Sequence, residues 1–216
     1  MRAIVIKDLR MLARTPALRV LLVVYALGLS IAVLYAYDLV GADRLALVRW
    51  FRAAQWILLT ILTPWAVARA ASIERGDALV ELIARSAGAP RRVMAGRTAA
   101  LSAYPIELLV VSWPAAAIVY QSAPVDLGTL GLAYLEWLVF AGIATIVTVH
   151  WVSTDANAVR AWVLATLSSA AIAAVYLTLV RSAGVPVALL LLAIAWLVAG
   201  ASLARFADRH LRYLRV

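Results

Sequence analysis

Two carboxylates of this 216-residue chain, Glu107 and Glu136, sit inside long apolar stretches, and two guanidiniums, Arg49 and Arg52, stand at the edge of another in the run RWFRAAQW. A charge surrounded by hydrocarbon is costly and is kept for a partner or a task. For the carboxylates the options are pairing with a neighbouring helix, a polar point on a substrate path, or proton carriage. For Arg49 and Arg52, snorkelling within an aromatic belt competes with a site for an anionic headgroup or substrate. A third group is denser. Residues 74–92, ERGDALVELIARSAGAPRR, carry seven charged side chains between two apolar runs.

Other chemistries lack their residues. There is no Cys, which removes disulfides, thiolate metal sites and catalytic thiols. His150 and His210 are far apart and have no acidic or thiol companions, so no metal site is expected. A phosphate-binding P-loop needs Lys after Gly, and Lys7 is the chain's one lysine, with no Gly before it. No serine-hydrolase elbow or metalloprotease helix motif is present. The chain is not expected to be an enzyme.

The elements that must hold these residues follow from composition. Hydrophobic residues make up 66% and charged residues 14% of the sequence, against about 45–50% and about 25% in soluble domains. An all-α polytopic membrane protein follows, built as a single transmembrane domain. A net charge of +9 does not point to nucleic acid, because the cations are clustered between apolar runs rather than spread along one polar face. With about 20 apolar residues needed per crossing, six spans are predicted, at roughly 17–37, 50–71, 98–120, 128–152, 158–180 and 184–204. Pro64 is expected to kink the second. Glu107 and Glu136 then enter the third and fourth spans from opposite faces and lie near the midplane.

Six crossings put both termini on one side. Placing them in the cytoplasm gives that side Arg2, Lys7, Arg10, Arg14, Arg19, Arg69, Arg75, Arg85, Arg91, Arg92, Arg97, Arg160, Arg205, Arg209, Arg212 and Arg215, which is 16 of the 20 cations. The positive-inside rule fixes this orientation, in a bacterial inner membrane with a cytoplasmic tail at 205–216. The stretch at about 74–87 is then a cytoplasmic loop with helical pattern. Asp77, Glu81 and Arg85 recur at i, i+4 and i+8, while Leu79, Leu82 and Ile83 take another face. Gly88 and Pro90 end it. Its apolar stripe requires cover, from headgroups or from a groove in a soluble partner. Residues 1–15 read as a second amphipathic helix, interfacial, with Lys7, Arg10 and Arg14 on one side and Val5, Leu9, Leu12 and Ala13 opposite. Gly128, Gly131, Gly142, Ala195 and Ala199 offer small surfaces for close helix packing.

The basic KDLRMLART before the first span, the segment AVARAASIERGDALVELIARSAGAPRRVMAGR after the second, and six spans with both ends inside together resemble the permease subunit of type-2 ABC exporters. That family's loop motif, E-R-x-x-x-x-L-E-L-L followed by a Pro turn and a basic helix start, is matched here by Glu74, Arg75, Leu79, Glu81, Leu82 and Ile83, then Pro90 and Arg91. The resemblance implies that 74–87 is a coupling helix seated in a cleft of a separate ABC ATPase. It implies two ATPase copies that bind ATP and magnesium, and a second permease copy or homologue. Cargo would be a lipid, peptide, haem or other amphipathic molecule. The family often carries a re-entrant hairpin before the last span, whereas Arg181 to Pro186 leaves room for a tight turn only. The alternative is a proton-coupled secondary transporter using Glu107 and Glu136, although no internal repeat is evident between the two halves.

Overall fold

Backbone amides in hydrocarbon must find partners within their own segment, so apolar runs of this length close into helices. The computed structural model describes residues 6, 15–40, 43–73, 90–154 and 157–210. Seven helices are found among them: α1 (Pro16–Val40), α2 (Arg44–Ile73), α3 (Pro90–Leu101), α4 (Ala103–Gln121), α5 (Leu127–Thr154), α6 (Ala158–Ala183) and α7 (Val185–His210). There is no strand among the described residues. Helices α3 and α4 run on through Ser102 as one crossing, Met94–Gln121, which with the other five helices makes six segments long and apolar enough to span a membrane. The chain is an all-α, multi-pass membrane protein. The expected interfacial helix at 1–15 and coupling helix at 74–87 lie outside the described residues, apart from Ile6 and Thr15.

The crossings alternate between two ends. The proximal end carries the start of α1, the end of α7 and the ends that flank the connections after α2 and α5; the distal end carries those that flank the connections after α1, α4 and α6. Helices α2 and α5 form the centre, with α6 packed on both, α4 and α1 on one flank, and α7 against α5, α6 and α3. Burial follows this plan: 61% of the α5 crossing is covered by protein, against 17% of the α7 crossing. Trp137, Phe140, Leu59, Leu108 and Ile143 fill the middle. Ala141 and Ala144 of α5 and Ala161 and Ala165 of α6 are all fully buried, and small side chains of this kind let backbones approach closely without any hydrophobic gradient to drive them.

Two boundaries differ from the sequence expectation. The second crossing begins at Arg44 rather than near 50, because Asp43 accepts the Ala46 amide at 3.0 Å and the side chain of Arg49 at 3.3 Å, so the charges start the helix instead of ending the apolar run. The helix continues through Pro64 to Ile73. The third crossing begins before Arg97, whose guanidinium is buried and donates to the carbonyl of Ala71 at 2.9 Å. A bonded arginine of this kind is no helix boundary, and it satisfies an end carbonyl of α2.

The distal turns are tight. Asp126 caps α5, accepting the Thr129 amide at 2.6 Å and its hydroxyl at 2.7 Å, and these two bonds hold its exposed carboxyl below the usual carboxylate range. Between α6 and α7 stands Gly184 at φ +83°, its amide bonded to Val180 O. With ψ at 165° this is an extended, positive-φ conformation open essentially to glycine alone, and it matches the tight turn expected there. Gly142 is consumed inside the chain: a Cβ at this position would lie 2.9 Å from Nε1 and 3.3 Å from Cδ1 of Trp196 on α7. Gly142→Val is expected to force α5 and α7 apart and cost about 1–3 kcal/mol. A melting curve in mild detergent indistinguishable from wild type would contradict that packing.

Candidate functional site: a polar seam in the distal half

The side chains singled out in the sequence do not form one site. Arg52 and Glu136, 84 residues apart, meet in an ion pair of 2.9 Å. The Glu136 side chain is 1% exposed and that of Arg52 33% exposed, so the carboxylate is sealed inside while the guanidinium keeps an edge at the surface. Counting from the distal ends of α2 and α5 at about 1.5 Å per residue, both lie about 12–14 Å deep. Arg49, three residues before Arg52, is turned outward and holds exposed Asp43. The pair RWFR therefore divides its cations between a surface contact and an interior one.

Glu107 is elsewhere. It lies at the middle of the third crossing on the exposed face of α4, a face it shares with Ile106, Val110 and Trp113. Tyr104, one turn back and buried, is within electrostatic reach of it. The two carboxylates thus open onto different surroundings, one onto the bundle interior and one away from it.

The interior also contains groups that the sequence did not single out. Tyr25 donates to Gln55 Oε1 at 2.8 Å, Gln55 Nε2 donates to Ser112 Oγ at 3.2 Å, and Ser112 Oγ lies 2.9 Å from Tyr134 Oη. Ser112 spends its single proton on Leu109 O at 2.7 Å, which leaves Tyr134 as the donor of that last bond. The chain of bonds crosses α1, α2, α4 and α5 in turn. Beside it stand the hydroxyls of Tyr120 and Tyr176, both within electrostatic reach of Arg52 and Glu136. Neither hydroxyl meets hydrogen-bond geometry with a protein group, nor do Glu136 Oε1 and Trp137 Nε1.

Aromatic rings wall this seam. Trp56 stacks on Tyr176 at 5.2 Å and touches Phe140 at 4.6 Å; Trp137 meets Tyr134 at 5.0 Å and Phe51 at 6.0 Å, edge to face. Water is excluded from the Glu136 carboxylate by this packing, which strengthens its attraction to Arg52 and raises the cost of losing it. Chemically, the seam can fix helices in register and hold one buried charge. Among the described residues no group of three His, Asp or Glu side chains converges on a metal position.

The charge pattern gave access to Arg52 and Glu136 but not to their pairing. Gln55 had a usable signal as the amide in the uncharged middle of a crossing, whereas Tyr25, Ser112, Tyr120, Tyr134 and Tyr176 blend into an apolar run. The docking candidates Glu74, Arg75, Asp77, Leu79, Glu81, Leu82, Ile83 and Arg85, and the interfacial Lys7, Arg10 and Arg14, lie outside the described residues. Comparison of the chain with family models, with characterised proteins and with solved structures finds no match.

Proposed function

We propose that the chain is the membrane-spanning permease subunit of an ATP-driven exporter of the type-2 ABC class, working with two copies of a separate ATPase that binds ATP and magnesium, and with a second permease copy or homologue, in a bacterial inner membrane with both termini cytoplasmic. The observation that carries the reading is the charged, helix-patterned segment 74–87, with an apolar stripe of Leu79, Leu82 and Ile83, between α2 and α3, two helices tied to each other by the Arg97–Ala71 bond. A stripe of this kind outside the bilayer is suited to a groove in a soluble partner. The chain's own residues supply no phosphate-binding loop, so the partner must bring the nucleotide chemistry.

The geometry of the two intramembrane carboxylates favours this reading over a proton-coupled carrier. Glu136 is tied to Arg52 inside the bundle and Glu107 faces away from the interior, so the two do not share one path. Cargo on this reading is an amphipathic molecule, such as a lipid, peptide or haem, moving along an apolar surface.

Purification from native membranes in mild detergent tests the assignment. A P-loop ATPase is expected to remain bound, and transport in vesicles is expected to require ATP and to survive a protonophore. A complex without any ATPase, with 74–87 lying on phospholipid, overturns the proposal, as does transport abolished by the protonophore while ATP is plentiful.

A further inference from the structure

We propose that two adjoining hollows on the exposed side of α4, where it packs against α5, bind a lipophilic cation whose charge meets the Glu107 carboxylate. One hollow, of about 420 Å³, lies between α4, α5 and α7 and is lined in part by Pro105, Leu138 and Trp196. The next, of about 620 Å³, lies between α4 and α5 and is lined in part by Val110, Trp113, Pro114 and Tyr134. Ile106 and Leu138 line both, so the two run into one another along α4. Each volume falls in the range of about 300–1,000 Å³ typical of small-ligand clefts.

Three features select the occupant. The first is the sign of the charge. Among the described residues no charged side chain lines either hollow, and Glu107 is the one charged residue of α4. At about 100° per residue, Glu107 lies about 60° around the helix from Val110 and about 20° from Pro114, so it borders the larger hollow on one side. The second is that the protein leaves this carboxylate without a counter-charge. Neither ion pair among the described residues uses it, and the group within electrostatic reach of it is Tyr104, which carries no positive charge. The third is an aromatic wall. Trp113 and Tyr134 meet edge to face at 5.1 Å where they line the larger hollow. The Tyr134 hydroxyl is already committed to Ser112, so its ring is what a ligand meets, and ring faces attract both cations and apolar bodies.

Rival occupants use less of this. An acyl chain fills the hollows but leaves the Glu107 carboxylate against hydrocarbon, which is costly. A second copy related by a two-fold axis through this face brings its own Glu107 toward the first, like charge toward like. The binding claim requires only the membrane-spanning fold; that the bound cation is cargo rests on the exporter reading. A binding measurement without ATP or transport lets the two fail separately.

Equilibrium dialysis of the full chain against labelled tetraphenylphosphonium, in dodecyl maltoside as an uncharged apolar competitor in excess, provides the test. Saturable binding of one cation per chain is expected, displaced by dodecyltrimethylammonium. Glu107→Gln is expected to weaken affinity by about ten-fold or more, the scale of one lost contact to a charged group. Glu107→Asp, which keeps the charge, is expected to retain most of the binding. Val110→Trp fills the larger hollow from a position 65% exposed without touching the charge, and is expected to weaken binding even if Glu107→Gln fails to fold. Absence of saturable binding overturns the site, as does wild-type affinity in folded Glu107→Gln or folded Val110→Trp. The chain has no cysteine, so Val110→Cys supplies a single reporter, expected to be shielded from maleimide by tetraphenylphosphonium. A disulfide joining two chains through that position, unaffected by the cation, assigns the face to a second copy and overturns the proposal.

Discussion

Arg52→Ala is expected to destabilise the folded chain by about 3–5 kcal/mol, the cost of leaving a buried charge without its partner. Glu136 is 1% exposed and its second oxygen, Oε1, meets no donor in hydrogen-bond geometry, with the Tyr176 hydroxyl close by, so the 2.9 Å bond from Arg52 carries most of its compensation. Removing both charges should behave differently. Arg52→Met with Glu136→Leu replaces the pair by apolar groups of similar size and is expected to recover most of the loss, because two desolvation penalties disappear along with one attraction. Unfolding of the wild type, Arg52→Met, Glu136→Leu and the double variant in mixed detergent gives the coupling energy directly. Additive single and double losses would show that the pair does not interact across α2 and α5. On the exporter reading, a pair that only holds helices together leaves transport by the double variant normal. If charge at this depth serves cargo, stability returns without transport.

The second large effect belongs to the 74–87 segment. Leu82→Asp places a carboxylate in its apolar stripe, and Glu81→Arg reverses a charge on its polar face. On the exporter reading, a partner drives the spans only through a difference in contact energy between its own two states. Coupling energies of about 1–3 kcal/mol correspond to about 5–150-fold in coupled equilibria, so either substitution is expected to lower ATP-driven transport by at least about ten-fold. Insertion and melting temperature should stay at wild-type values, since the segment is not part of the six apolar crossings. Transport rates and stimulated ATP hydrolysis in proteoliposomes measure this. Wild-type values for both in Leu82→Asp would remove the segment from the mechanism.

Much of the architecture was legible because membrane insertion is read from length and apolarity, and α1, α5, α6 and α7 satisfy both. The starts of the second and third crossings were misplaced for one reason. A charge ends an apolar run in the sequence, whereas in the folded chain Asp43 holds Arg49 and Ala71 O holds Arg97 within the crossings. Pairing satisfies a charge but leaves no trace in local sequence. The seam was harder still. The bond from Tyr25 to Gln55 spans 30 residues and that from Gln55 to Ser112 spans 57, and nothing in a helical period relates such positions. Glu107 shows the converse. Its place at the middle of an apolar run is legible, but position along a helix does not reveal azimuth, and the helix turns it away from the other carboxylate.

The Arg97–Ala71 bond has a mechanical consequence for whatever pulls on the residues between Ile73 and Pro90. Its donor and acceptor belong to the two helices from which that stretch departs, so the stretch is anchored like a handle riveted at both feet. A tug on it cannot be absorbed by prying those feet apart without first rupturing a buried arginine contact. Parting α2 from the α3–α4 crossing at this end therefore begins with the loss of that contact.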